Sequence, residues 1–147
     1  MTAGPTGAPL RILTVCLGNY CRSPLAAAVL AAKAGAAAEV SSAGLLDLWV
    51  GGTAHPTMIA AAAGLGYDLS GHRPVRVDAA MLDRADVVLA MDRSVLERLR
   101  SLGGARNAAK IRLYLDGRDV PDPMGGTAED FAASAAIIEA GAARHLP

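Results

Sequence analysis

A cysteine and an arginine frame the stretch Cys16-Leu17-Gly18-Asn19-Tyr20-Cys21-Arg22-Ser23-Pro24 with the spacing Cys-x5-Arg. Those two side chains could do nucleophilic chemistry on a bound oxyanion. A thiolate attacks electrophiles well, and a guanidinium holds a phosphate through two parallel hydrogen bonds. The stretch follows a strand-like run, Leu10-Arg11-Ile12-Leu13-Thr14-Val15, and leads into a helix. Ser23 suits an N-cap, Pro24 the first helical position, and Leu25 to Ala34 is rich in helix formers. A strand, a short loop and a helix N-terminus make an anion cradle, because loop amides and helix dipole both turn positive charge inward. The same field favours the thiolate of Cys16. A bland alternative exists, a buried strand-end thiol and a surface arginine. It gives no reason for the strand, Gly18, Ser23 and Pro24 to agree as they do.

The elements that must hold this loop can be read from periodicity and punctuation. Strands are expected at Leu10 to Cys16, Glu39 to Ala43, Asp86 to Met91 and Ile111 to Leu115. Helices are expected from Pro24 to about Lys33, Pro56 to Leu65, Asp78 to Arg84, Ser94 to Leu102 and Ala128 to about His145. Strands spaced by helices imply parallel pairing through right-handed crossovers. The expected fold is therefore α/β, a doubly wound four-stranded parallel sheet with helices on both faces and the phosphate-binding loop after strand one. Ligands of such sheets bind beyond the carboxyl ends of the strands, which is where Cys16 falls. Residues 1–9, rich in Gly, Pro, Thr and Ala, read as a disordered tail, and residues 10–147 as a single domain.

Composition removes several classes of function. The formal net charge is zero and no basic block stands out, so nucleic acid is not expected as a partner. The two cysteines, Cys16 and Cys21, sit too close together to staple a domain, and without nearby histidines they cannot complete a zinc site. No metal and no cofactor are expected. There is no signal-peptide pattern and no membrane-spanning segment in the sequence, so a cytoplasmic location is the default expectation. Hydrophobic residues make up 52% of the chain but aromatics only 3%, so the core must rest on Leu, Val, Ile and Ala.

The loop Val15-Cys16-Leu17-Gly18-Asn19-Tyr20-Cys21-Arg22-Ser23-Pro24 resembles the signature of the low-molecular-weight protein tyrosine phosphatases. Val120-Pro121-Asp122-Pro123 is similar to the loop that carries that family's general acid. Ser42-Ala43-Gly44, Val50-Gly51, Gly71-His72-Arg73 and Ala90-Met91-Asp92 resemble intermediate family segments in the same order. The resemblance runs from about Leu10 to the last helix. It implies a phosphate monoester hydrolase working through a cysteinyl-phosphate, with Cys16 as nucleophile and Arg22 as phosphate clamp. The amides of Leu17, Gly18, Asn19, Tyr20, Cys21 and Arg22 would bind the equatorial oxygens. Asp122 would protonate the leaving group and then activate water, with Asp119 as the nearby competitor. Asn19, Ser23, Ser42 and His72 match positions that form a hydrogen-bond network beneath the family's loop, although His72 fits a purely structural role equally well. Asp92 matches an acid near the family's active site and would serve equally as the N-cap of the next helix. Cys21 reads either as a small packing residue or as a redox partner that protects Cys16.

Two departures bear on substrate. Tyr20 stands where many family members carry an aliphatic residue, and Met124-Gly125-Gly126 stands where members acting on phosphotyrosine usually carry aromatics. Tyr20, Trp49 and Met124 are therefore the candidate cleft walls. The expected substrate is a phosphotyrosine protein or a small phosphate ester, with phosphoarginine or a phosphorylated metabolite as the alternative, on a monomer or weak dimer. A thiol-linked arsenate reductase would need further cysteines downstream, and none follows Cys21. A non-catalytic phosphate-binding module would not need Cys16 and Asp122 together.

Overall fold

Residues 7–147 are described by a computed structural model. Most of the expected tail lies outside the described residues; Gly7, Ala8 and Pro9 are exposed. Four strands form one wholly parallel sheet: β1 (Leu10–Cys16), β2 (Ala38–Gly44), β3 (Val87–Ala90) and β4 (Ile111–Leu113). Their order is β2-β1-β3-β4. The chain leaves β1 for one neighbour and returns across it to the other, so the end of β1 is the switch point in strand order.

Alternation along β1 divides the core. Ile12 and Cys16 pack with α1 (Arg22–Ala34), α2 (Pro56–Gly64) and α5 (Ala128–Gly141). Leu13 and Val15 face α3 (Ala79–Arg84) and α4 (Arg93–Gly103) on the other side. Strands buried on both faces read as near-continuous apolar runs, as β1 and β3 do. The interior is built largely from Leu, Val, Ile and Ala, with Tyr114 and Phe131 as its large aromatics.

Several boundaries differ from the sequence expectation, each for a local reason. Helix α1 starts at Arg22, so Ser23 is not its N-cap and Pro24 is not its first residue; Cys21 takes the cap position without a side-chain cap bond. Proline is tolerated there because the first four amides of a helix have no intrahelical partner. Strand β4 stops at Leu113 because Leu115 turns to bridge Arg118. The last helix tightens into a 3-10 turn over Ala142–His145. Helix α5 opens on a reciprocal capping box between Thr127 and Asp130.

Candidate active site

The loop between β1 and α1 closes on itself around Asn19. This residue has φ of 54°, the left-handed region that asparagine tolerates better than most. Every polar group of its carboxamide is used. Nδ2 donates to Ser23 Oγ and to Ser42 Oγ, each at 2.9 Å, and Oδ1 accepts from the Val75 amide at 2.9 Å. The Asn19 carbonyl accepts from His72 Nε2 at 2.8 Å, which fixes the proton of His72 on Nε2. Burial holds the His72 imidazole below its ordinary range, so it serves this bond as a neutral ring. Asn19, Ser23, Ser42 and His72 thus form one network under the loop.

Gly44 lets that network close. A Cβ at Gly44 would fall 2.6 Å from the Asn19 nitrogen and 2.6 Å from the Gly18 carbonyl carbon, both backbone atoms. Strand β2 therefore approaches the loop as closely as only a glycine permits. Two bonds, from the amides of Leu45 and Leu46 to the carbonyls of Cys16 and Leu17, extend this support. Among the described residues, no protein acceptor takes the amides of Leu17 through Arg22.

Cys16 is buried at the floor, its Sγ 3.0 Å from Ser23 Oγ. A thiolate can only accept, so Ser23 donates to it in that state. Ser23 gives up the expected helix cap to make this contact. Arg22 is 3% exposed. Its Nη1 donates to Asp92 Oδ2 at 2.9 Å and to the Val120 carbonyl at 3.0 Å. Its Nη2 lies 3.6 Å from Asp122 Oδ2. Both readings of Asp92 hold together: Oδ1 caps α4 through the Val95 amide while Oδ2 fixes Arg22.

One cleft is lined by Cys16, Leu17, Gly18, Tyr20, Cys21, Arg22, Trp49, Asp122 and Met124. All nine are candidates on sequence grounds, while the way they meet is a property of the fold. Tyr20 and Trp49 stack, with ring centroids 4.4 Å apart and planes within 6°. The Trp49 ring lies directly over Gly18. Tyr20 continues edge-on into His55, and His55 into Phe131 of α5, at 5.1 and 4.7 Å. His55 and Phe131 escaped the sequence reading because neither carries a motif; the His-Pro pair opening α2 was the available signal. Asp119 is turned away and accepts from the Arg93 amide at 2.9 Å.

The chain matches the family model described as low molecular weight phosphotyrosine protein phosphatase over residues 11–146. It belongs to that family. A low molecular weight protein-tyrosine-phosphatase of Streptomyces coelicolor is 35% identical over 144 residues, covering 88% of this chain and 87% of its own. The phosphatase Wzb of Escherichia coli is 35% identical, with 87% of each chain covered. Among solved structures, Vibrio vulnificus Wzb in complex with benzylphosphonate superposes with a TM-score of 0.87 at 26% identity, covering 94% of this chain and 97% of the other. The tyrosine phosphatase AmsI of Erwinia amylovora gives 0.88 at 26% identity, with 98% and 95% covered. This low molecular weight phosphatase is thus a cysteine-dependent protein tyrosine phosphatase with a four-stranded parallel α/β fold. No helix among its described residues is long and apolar enough to cross a membrane.

Proposed function

We propose that Cys16 is the nucleophile of this phosphatase, Arg22 its phosphate clamp and Asp122 its general acid and base. The observation that carries the reading is the convergence of Cys16, Arg22 and Asp122 on one cleft above unpaired loop amides. With Nη1 held by Asp92 and Val120, the Nε and Nη2 edge of Arg22 is left to grip two phosphate oxygens. The Leu17 to Arg22 amides take the equatorial oxygens, whose charge must be balanced through the whole reaction. In the first step the Cys16 sulfur bonds to phosphorus as the ester P–O bond breaks, and Asp122 gives its proton to the departing oxygen. In the second, Asp122 takes a proton from water as the water oxygen bonds to phosphorus, the S–P bond breaks and Cys16 leaves as thiolate. The Ser23 hydroxyl stabilises that thiolate at both ends of the cycle.

The substrate we assign is phosphotyrosine in a protein. Leu17, Tyr20, Trp49 and Met124 give the cleft an apolar rim suited to an aryl ester, and the Tyr20–Trp49 stack supplies aromatic surface in place of what Met124-Gly125 lack. Both cysteines are free thiols, which suits a reducing compartment such as the cytoplasm.

The test is Cys16→Ser. It should lose turnover of a phosphotyrosine peptide while still binding vanadate or phosphate, because the amide cradle is intact. Activity persisting in that variant would remove Cys16 from the role. Phosphoarginine and phosphoserine serve as comparison substrates, and a kcat/KM for either above that for phosphotyrosine would overturn the substrate assignment.

A further inference from the structure

The tip of the acid loop touches the phosphate loop through sulfur. The Cys21 Sγ lies 3.5 Å from the Met124 Sδ, in hydrogen-bond geometry with the thiol as donor. Cys21 is 4% exposed and Met124 42% exposed. We propose that Cys21 and Met124 form a thiol–thioether latch that positions Asp122 over the cradle, making both of them positioning residues for proton transfer to the leaving group. This rests on the assignment of Asp122 as the acid.

The other ties of the acid loop explain why a latch matters. Upstream, the Val120 amide donates to the Met91 carbonyl at 2.7 Å, and Ser134 Oγ donates to the Pro121 carbonyl at 3.0 Å. Downstream, the chain is fixed by the capping box at Thr127. Between those anchors, the Asp122 carboxylate caps its own turn through the Met124 amide at 3.1 Å and faces Arg22 at 3.6 Å. The Arg22 contact needs Asp122 ionised and Arg22 unengaged. Both conditions end when a phosphate takes the Arg22 edge and Asp122 carries the proton it must donate. The sulfur contact depends on neither charge. Burial pushes the Cys21 thiol up to about 12, so it keeps its proton and remains a donor throughout the working range. Met124 follows Asp122 by two residues, so holding its side chain fixes the aspartate's backbone.

The experiment measures kcat/KM for aryl phosphates whose leaving groups span good to poor, in wild type, Asp122→Asn, Met124→Leu, Cys21→Ala, Cys21→Ser and the Met124→Leu/Cys21→Ala double variant. Met124→Leu keeps apolar volume and removes the acceptor. Using kcat/KM confines the readout to formation of the cysteinyl-phosphate. Met124→Leu and Cys21→Ala should each lower kcat/KM for poor leaving groups by roughly twofold, the size set by one weak sulfur hydrogen bond, and for good ones by less. The leaving-group dependence should steepen part of the way to that of Asp122→Asn. The double variant should lose no more than either single one, and Cys21→Ser, which restores a donor, should recover part of the loss. Inhibition by inorganic phosphate checks that the cradle is intact in each. If Asp122→Asn steepens the dependence while Met124→Leu and Cys21→Ala run parallel to wild type, or if their losses multiply in the double variant, the latch is wrong and the acid assignment stands. A flat response in Asp122→Asn would overturn the acid assignment and the latch together.

Discussion

Asp92 does two jobs with two oxygens, and substitutions can separate them. Oδ1 caps α4 and Oδ2 fixes Arg22. Asparagine is as good an N-cap as aspartate but cannot form the ion pair. Asp92→Asn should therefore keep the cap, lose stability only through the broken pair with the buried Arg22, and weaken phosphate inhibition. Asp92→Ala should lose the same inhibition and, in addition, about 1 kcal/mol of stability from the missing cap. Urea unfolding alongside phosphate inhibition reads both. If Asp92→Asn inhibits like wild type, Arg22 does not depend on this carboxylate. The residue scale is also where sequence reading went furthest. Cys16 and Arg22 stand out by their Cys-x5-Arg spacing, and Asp122 by the resemblance of Val120-Pro121-Asp122-Pro123 to the family's acid loop, so all three are candidates without a structure. Ser23 reads both as an N-cap and as a hydroxyl that can point at the Cys16 thiolate; the helix starts two residues earlier, so only the second role remains. The Cys21–Met124 contact is not legible in the sequence, since it joins residues far apart in the chain and neither type announces the other.

The elements were legible where periodicity was long and blurred where neighbours decide. β1 reads to its ends because a near-continuous apolar run, buried on both faces, precedes a glycine-containing loop. β4 reads two residues too long, because Tyr114 still donates its amide to the Ala90 carbonyl but the chain then turns, with Leu115 bridging Arg118 and the Tyr114 hydroxyl bonded to the Ile138 carbonyl. The meeting of β2 with the phosphate loop offers a test at this scale. Gly44→Ala places a methyl against the backbone of Gly18 and Asn19, neither of which can rotate away. Overpacking of this kind costs about 1–3 kcal/mol, and here the strain falls on the loop that binds phosphate. The variant should fold with a reduced melting temperature and lose affinity for vanadate by more than tenfold. Unchanged vanadate affinity would show that the loop tolerates displacement from β2.

Across the whole molecule, two neutral histidines couple stability to pH. His72 holds the Asn19 carbonyl, and His145 holds the Tyr114 carbonyl at 2.6 Å in the closing 3-10 turn. Burial keeps both imidazoles below the ordinary histidine value of 6.5. The unfolded chain therefore binds more protons than the folded one as pH drops through that region. Their contribution is complete above 6.5 and is lost progressively as pH falls toward the lower folded values. The urea midpoint should decline between pH 7.5 and 5.5, and His145→Gln should flatten that decline without moving the phosphate loop. A midpoint independent of pH across this window would mean that both rings accept a proton freely in the fold. The two sites lie on different parts of the molecule, one beneath the loop and one under α5, so acid loosens the active site and the C-terminal packing by separate routes.

Trp49 is the sole tryptophan in the chain. Its ring covers Gly18 and lies flat against Tyr20, at the rim of the cleft that holds Cys16. Near-ultraviolet light absorbed by the tyrosines drains toward that one indole, so its emission is a built-in optical gauge of the cradle. An oxyanion settling on the Gly18 amide alters the field under the ring, and the glow should change in intensity or colour. Titrating vanadate while following that signal should return the same midpoint as inhibition of turnover. A Trp49→Phe variant should go dark to the titration while the fluorescence of wild type reports, in real time, each filling and emptying of the site.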